Sequence, residues 1–131
     1  MHLEIVTPDE ILISTKVQYI GAHGCDGEFG ILPNHAAMLT VLDTGELHFD
    51  KDGKRNYCFV SAGFLEVAGS MVTILAESAE LAEDIDTARA EAAVKRADDF
   101  INCVLCEGID QARAQKAKKR ADARLRVAKR K

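Results

Sequence analysis

The hydrophobic period changes once along this chain, near residue 80, and that change excludes most folds open to 131 residues. Up to about Glu77, apolar residues form short alternating or continuous runs at 3–6, 11–14, 17–22, 38–42, 46–49, 57–62, 64–67 and 72–76. Turns fall at Asp43-Thr44-Gly45, Asp52-Gly53 and Gly69-Ser70, where glycine reaches positive φ at little steric cost. Many short strands with no helix among them predict a β-sandwich or flattened barrel over residues 1–80.

Beyond Glu80 the composition turns alanine-rich and the period becomes helical. A first helix is expected to start at Asp86 as N-cap, with the apolar stripe Ala90, Val94, Ala97, Ile101 and Leu105. Gly108 breaks the pattern, and Asp110 can cap a second helix with the stripe Ala114, Ala117, Ala121, Leu125 and Ala128. Residues 81–131 therefore read as an antiparallel helical hairpin. Side chains this small bury little apolar area at ~25 cal/mol per Å², so rearrangement of the hairpin is cheap.

Charge divides along the same line. Residues 1–110 hold 7 Lys and Arg against 20 Asp and Glu, whereas residues 111–131 hold 10 against the single acid Asp122. The net −4 conceals a −13 body and a +9 tail, and such a tail seeks an acidic protein surface, nucleic acid or an anionic membrane. No run approaches the ~20 apolar residues of a membrane span, and the start lacks a basic, apolar leader. Cysteines at 25, 58, 103 and 106 are too scattered for a disulfide framework, and a reducing compartment is expected.

The segment 27–35, GEFGILPNH, followed by Met38-Leu39-Thr40 and Gly45, resembles the signature loop of ATP synthase epsilon subunits. The resemblance continues through residues 61–67 (SAGFLEV), 72–76 (VTILA), 85–90 (IDTARA) and 120–127, with departures at Asn34 and Ala37, where the family commonly has glycine and proline. It implies a non-catalytic rotor subunit of the central stalk, peripheral to the membrane. Its sandwich would grip the gamma subunit and the c-subunit ring, and its helices would meet the alpha/beta catalytic head. The matching loop makes Glu28 and His35 candidate c-ring contacts, although glycine and proline on their own mark any turn. A bacterial or organelle-encoded origin, on the cytoplasmic or stromal face, is expected.

Asp86, Arg89 and Arg96 lie along one side of the first helix, and Arg120 and Arg124 are neighbours on the second. Like charges at that spacing suit an anion held between them, and the plainer alternative is a solvated basic face. Residues 85–90 resemble the motif of epsilon subunits that bind ATP, with Glu80, Arg96, Arg120 and Arg124 at accompanying positions. The resemblance thus implies a regulatory ATP site of Glu80, Ile85, Asp86, Arg89, Ala90, Arg96, Arg120 and Arg124. ATP is a ligand here, not a required cofactor: there is no P-loop and no evident metal-ligating carboxylate cluster.

Other classes fit less well. Cys103 and Cys106 form a C-x-x-C near a helix C-terminus, where the dipole disfavours a thiolate, and zinc would need ligands from the other half of the chain. A nucleic-acid module would need stacking aromatics, which make up only 5% of the chain. No nucleophile, base and orienting acid assemble into a hydrolase pattern. No catalytic and no metal-binding residue is expected.

Overall fold

The computed structural model of the chain describes residues 1–25, 27–102 and 111–130. The strands are β1 (His2–Val6), β2 (Ile11–Lys16), β3 (Tyr19–Gly24), β4 (Gly27–Ile31), β5 (Met38–Leu42), β6 (Gly45–Lys51), β7 (Lys54–Val60), β8 (Gly63–Ala68), β9 (Met71–Ala76) and β10 (Ala79–Leu81). They hydrogen-bond in the order β10-β7-β6-β3-β5-β8-β9-β1-β2, with β4 on the other side of β3. Neighbours are antiparallel except β1 and β9, and β3 meets β5 only through Gly24 opposite Leu42. At that thin joint the sheet folds over itself, so β4-β3-β6-β7-β10 and β5-β8-β9-β1-β2 become the two layers of the expected sandwich.

Period-two alternation supplies the core. Val72, Ile74 and Ala76 of β9, Leu65 and Val67 of β8, Leu3 and Ile5 of β1, and Leu47 and Phe49 of β6 turn inward into one buried cluster. Asp52 and Gly53 take φ of 52° and 78°, which closes the β6–β7 hairpin as the sequence predicts. Two strands escape the sequence reading. Residues 27–31, expected as part of a surface loop, form β4, because Phe29 and Ile31 pair with β3 although glycines at 27 and 30 hide their alternation. β10 is three residues long and follows its neighbour β7, not its own propensity.

A single 3-10 turn, Ala82–Asp84, leads into helix α1 (Thr87–Ile101), and α2 (Gln111–Ala128) follows. Asp86 is the N-cap as expected, its Oδ1 accepting the Arg89 N–H at 3.1 Å. Leu105, Gly108 and Asp110, the expected stripe end, break and second cap, lie outside the described residues, as do Cys103 and Cys106. The α2 stripe is incomplete as read from sequence. Ala114, Ala121 and Ala128 are buried, but so are Ala123 and Val127, while Leu125 is only half-buried. A helix with neighbours on two sides needs two apolar faces. The second packs on Phe59, Ala82 and Ile85, fixing the hairpin to the β6–β7 side of the sandwich.

Candidate functional site

Three surfaces carry the chemistry, beginning with the β3–β4 hairpin and the β4–β5 connection. Glu28 is 78% exposed and lies opposite His23, with Oε1 3.4 Å from the His23 Nε2. His35 sits in the connection, its Nδ1 2.7 Å from the Ala36 carbonyl, so the two candidate contacts have separate partners. Leu32, which opens the connection, is 62% exposed. Asn34 takes φ of 67°, a left-handed conformation that asparagine tolerates better than most residues, which accounts for its standing where glycine is common. A side chain on Gly30 would collide with the Tyr19 hydroxyl, so that glycine lets the Tyr19 ring lie on the sheet. Tyr19, His48 and Tyr57 form a row of rings there, and together with Arg55 and Arg130 they line a groove of about 540 Å³. Partial burial, and then the Arg55 charge, hold His48 below the usual imidazole range.

The second surface is the seat of α2. Val127, Ala123 and Ala128 supply a small apolar contact, and cations of α2 fasten to acids of the sandwich around it. Lys119 reaches Asp43 at 2.8 Å, Arg124 reaches Glu80 at 3.0 Å and Arg130 reaches Glu46 at 3.2 Å. Arg124 also lies over the Phe59 ring and Arg130 over Tyr57, so lost charge would be accompanied by lost packing. The Lys119 hydrogen bond holds the Asp43 carboxyl below its ordinary range. Lys118 pairs with Asp98 at 2.7 Å and ties the two helices to each other. These pairs are half-exposed, so each is worth at most about 1 kcal/mol and weakens with salt.

The proposed nucleotide residues separate into groups. Ile85 and Ala90 are buried in packing, Asp86 caps α1, and Glu80 and Arg124 hold each other. The guanidinium groups of Arg89, Arg96 and Arg120 have no hydrogen-bond or ion-pair partner among the described residues. Of the eight, Glu80 meets Arg124 through side chains, and Asp86 meets the backbone N–H groups of Arg89 and Ala90 within the first turn of α1.

The third surface was not singled out from sequence. On the outer face of β5-β8-β9-β1-β2, Val41, Phe64, Leu75 and Ile11 are 47–60% exposed, and Leu39 is 72% exposed. The signal was present: antiparallel strands with one wet face alternate, whereas residues 11–13, 64–65 and 74–75 are apolar on both faces. Among the described residues no three His, Cys, Asp or Glu side chains cluster to hold a metal, and no helix is long and apolar enough to cross a membrane.

Residues 1–82 match the family described as ATP synthase, Delta/Epsilon chain, beta-sandwich domain. The chain is 57% identical over 93 residues to the ATP synthase epsilon chain of Nitratidesulfovibrio vulgaris (strain Miyazaki F), covering 71% of this chain and 69% of the relative. It is 50% identical over 97 residues to that of Lawsonia intracellularis, covering 74% and 73%. Among solved structures, a chain of the Euglena gracilis mitochondrial ATP synthase superposes with TM-score 0.79 at 23% identity, covering 92% of this chain and 76% of that one. A chain of the Tetrahymena thermophila mitochondrial ATP synthase central stalk and c-ring gives 0.60 at 17%, covering 99% and 94%. At those identities the superpositions speak for the fold.

Proposed function

The chain belongs to the ATP synthase epsilon-chain family, and from that premise we propose how its three surfaces divide the work of a non-catalytic rotor subunit. The observation that carries the reading is the asymmetry of the sandwich: one layer is covered by a basic hairpin, and the other presents a bare apolar face. The bare face grips the gamma subunit. Glu28, Leu32 and His35 meet the c-subunit ring, so that rotation driven by proton flow passes through the sandwich to gamma. Rigidity suits that duty, and a continuous core supplies it. As part of a membrane-bound complex the chain is peripheral, on the cytoplasmic face in a bacterium or the stromal face in a plastid.

The hairpin has a regulatory duty. Its seat combines small apolar side chains with half-exposed ion pairs, an arrangement that releases at low cost. Once released, α2 offers its cations to acidic surfaces of the alpha/beta head and restrains hydrolysis. ATP acts on the docked state. Arg89, Arg96 and Arg120, which have no side-chain partner among the described residues, supply charge for the triphosphate, and Arg124 exchanges Glu80 for a phosphate oxygen. Asp86 keeps its cap through Oδ1 and leaves Oδ2 for the adenine amino group. A ligand at a hundred times its Kd stabilises the state it selects by about 2.7 kcal/mol.

Titrating ATP to millimolar concentration is therefore expected to raise the thermal midpoint of the wild type and to leave that of Arg120→Ala where it was. If the midpoints of both proteins stay unmoved, the nucleotide reading is wrong.

A further inference from the structure

The bare face carries a second pattern. Register aligns Val41 with Phe64, Phe64 with Leu75, Leu75 with Val6 and Val6 with Ile11, so one apolar row crosses five strands. At the ~4.8 Å spacing of neighbouring strands that row is about 19 Å long. One step along the strands, at ~7 Å, the next row contains Glu66 and Glu4, facing each other across Thr73. On the opposite side, Glu77 borders the depression formed by Val6, Pro8, Phe64 and Leu75, and Asp9 and Glu10 continue the β1–β2 turn.

None of these five carboxylates has a hydrogen-bond or ion-pair partner among the described residues. Lys16 stands a further row away, opposite His2, whose ring bonds the Ser14 hydroxyl. The helix-covered layer differs, for Asp43, Glu46, Asp50 and Glu80 are all paired. Unpaired acids flanking an exposed apolar row on both sides repel one another, and a partner bearing the opposite charge in the same pattern relieves that repulsion.

We infer that the bare face is built for a partner segment with an apolar ridge bordered on both sides by Lys and Arg. This rests on the reading that gamma binds there, and it specifies the chemistry of gamma's contacting segment. The apolar row supplies affinity. The two acid borders supply steering and register, since charges at an interface rim act chiefly on the association rate.

The test is binding of the purified gamma subunit of the same organism to the full chain at about 50 mM and about 300 mM salt, a range over which screening of surface charge changes strongly. Two border variants, Glu4→Gln with Glu66→Gln, and Asp9→Asn with Glu10→Gln and Glu77→Gln, are compared with Phe64→Ser. Glu4 is half-buried and the other positions are exposed, and circular dichroism verifies the fold of each variant. Each border variant is expected to weaken binding about five- to tenfold at low salt, mostly through slower association, and to flatten the salt dependence. If Phe64→Ser weakens binding while both border variants keep the wild-type rate and salt slope, gamma binds there but its segment is not cationic, and the inference fails. If Phe64→Ser has no effect, or gamma does not bind the wild type, the inference and the gamma reading fail together.

Discussion

Deleting residues 110–131 is expected to raise ATP hydrolysis by the assembled complex several-fold while leaving the chain attached. The deleted segment carries a net +8 against −4 for residues 81–109, whereas the sandwich core has its own continuous set of buried side chains and stays closed. A second pair of substitutions separates restraint from mere loss of mass. Asp43→Asn with Glu46→Gln leaves α2 intact and removes two of the acids that hold it down. At about 0.5 kcal/mol for each half-exposed pair, the released population grows about fivefold. Hydrolysis should then fall, the opposite of the deletion. Both measurements use the ATPase rate of the reconstituted complex, and unchanged rates in both would show that α2 does not restrain hydrolysis.

Gly63→Val is expected to be the most damaging single substitution in the sandwich. A Cβ at Gly63 would overlap the backbone carbonyl oxygen of Leu75 and lie 2.9 Å from the Ala76 Cα. The obstruction is backbone, so no side chain can swing aside. β8 would have to move off β9, and Gly63 also pairs with Leu42 of β5 next to the joint between the layers. Strain of this kind costs about 3 kcal/mol or more, which lowers the thermal midpoint by roughly 10 °C in a chain of this size. Gly53→Asn is the comparison. Gly53 has φ of 78° with nothing within 4 Å of a Cβ, and asparagine accepts that conformation, so its midpoint should move by only a few degrees. Equal midpoints for Gly63→Val and wild type would contradict the packing described between β8 and β9.

The parts legible in the sequence were those decided by neighbours along the chain. Asp86 caps α1 because its side chain reaches an amide three residues on, and Asp52-Gly53 turns because two adjacent residues take positive φ. What escaped depends on partners distant in sequence. β4 exists because β3 offers it an edge, and its glycines conceal the alternation. Val127 and Ala123 are buried because Phe59 and Ile85 lie beneath them, which a helical wheel drawn for one neighbour does not include. Glu80 and Arg124, grouped from resemblance to a nucleotide site, meet across 44 residues as an ion pair. Ile85 and Ala90, from the same motif, serve the packing. The bare row from Val41 to Ile11 was hidden for the converse reason: an apolar run in a strand declares burial without declaring which face remains open.

The account rests on a stiff sandwich carrying a helix held loosely by charge, and native-state hydrogen exchange measures that difference directly. Amides of α2 should exchange through a local opening several kcal/mol cheaper than the global unfolding needed to release those of β8 and β9, and added salt should cheapen the α2 opening alone. A single opening free energy shared by α2, β8 and β9 and indifferent to salt would contradict it.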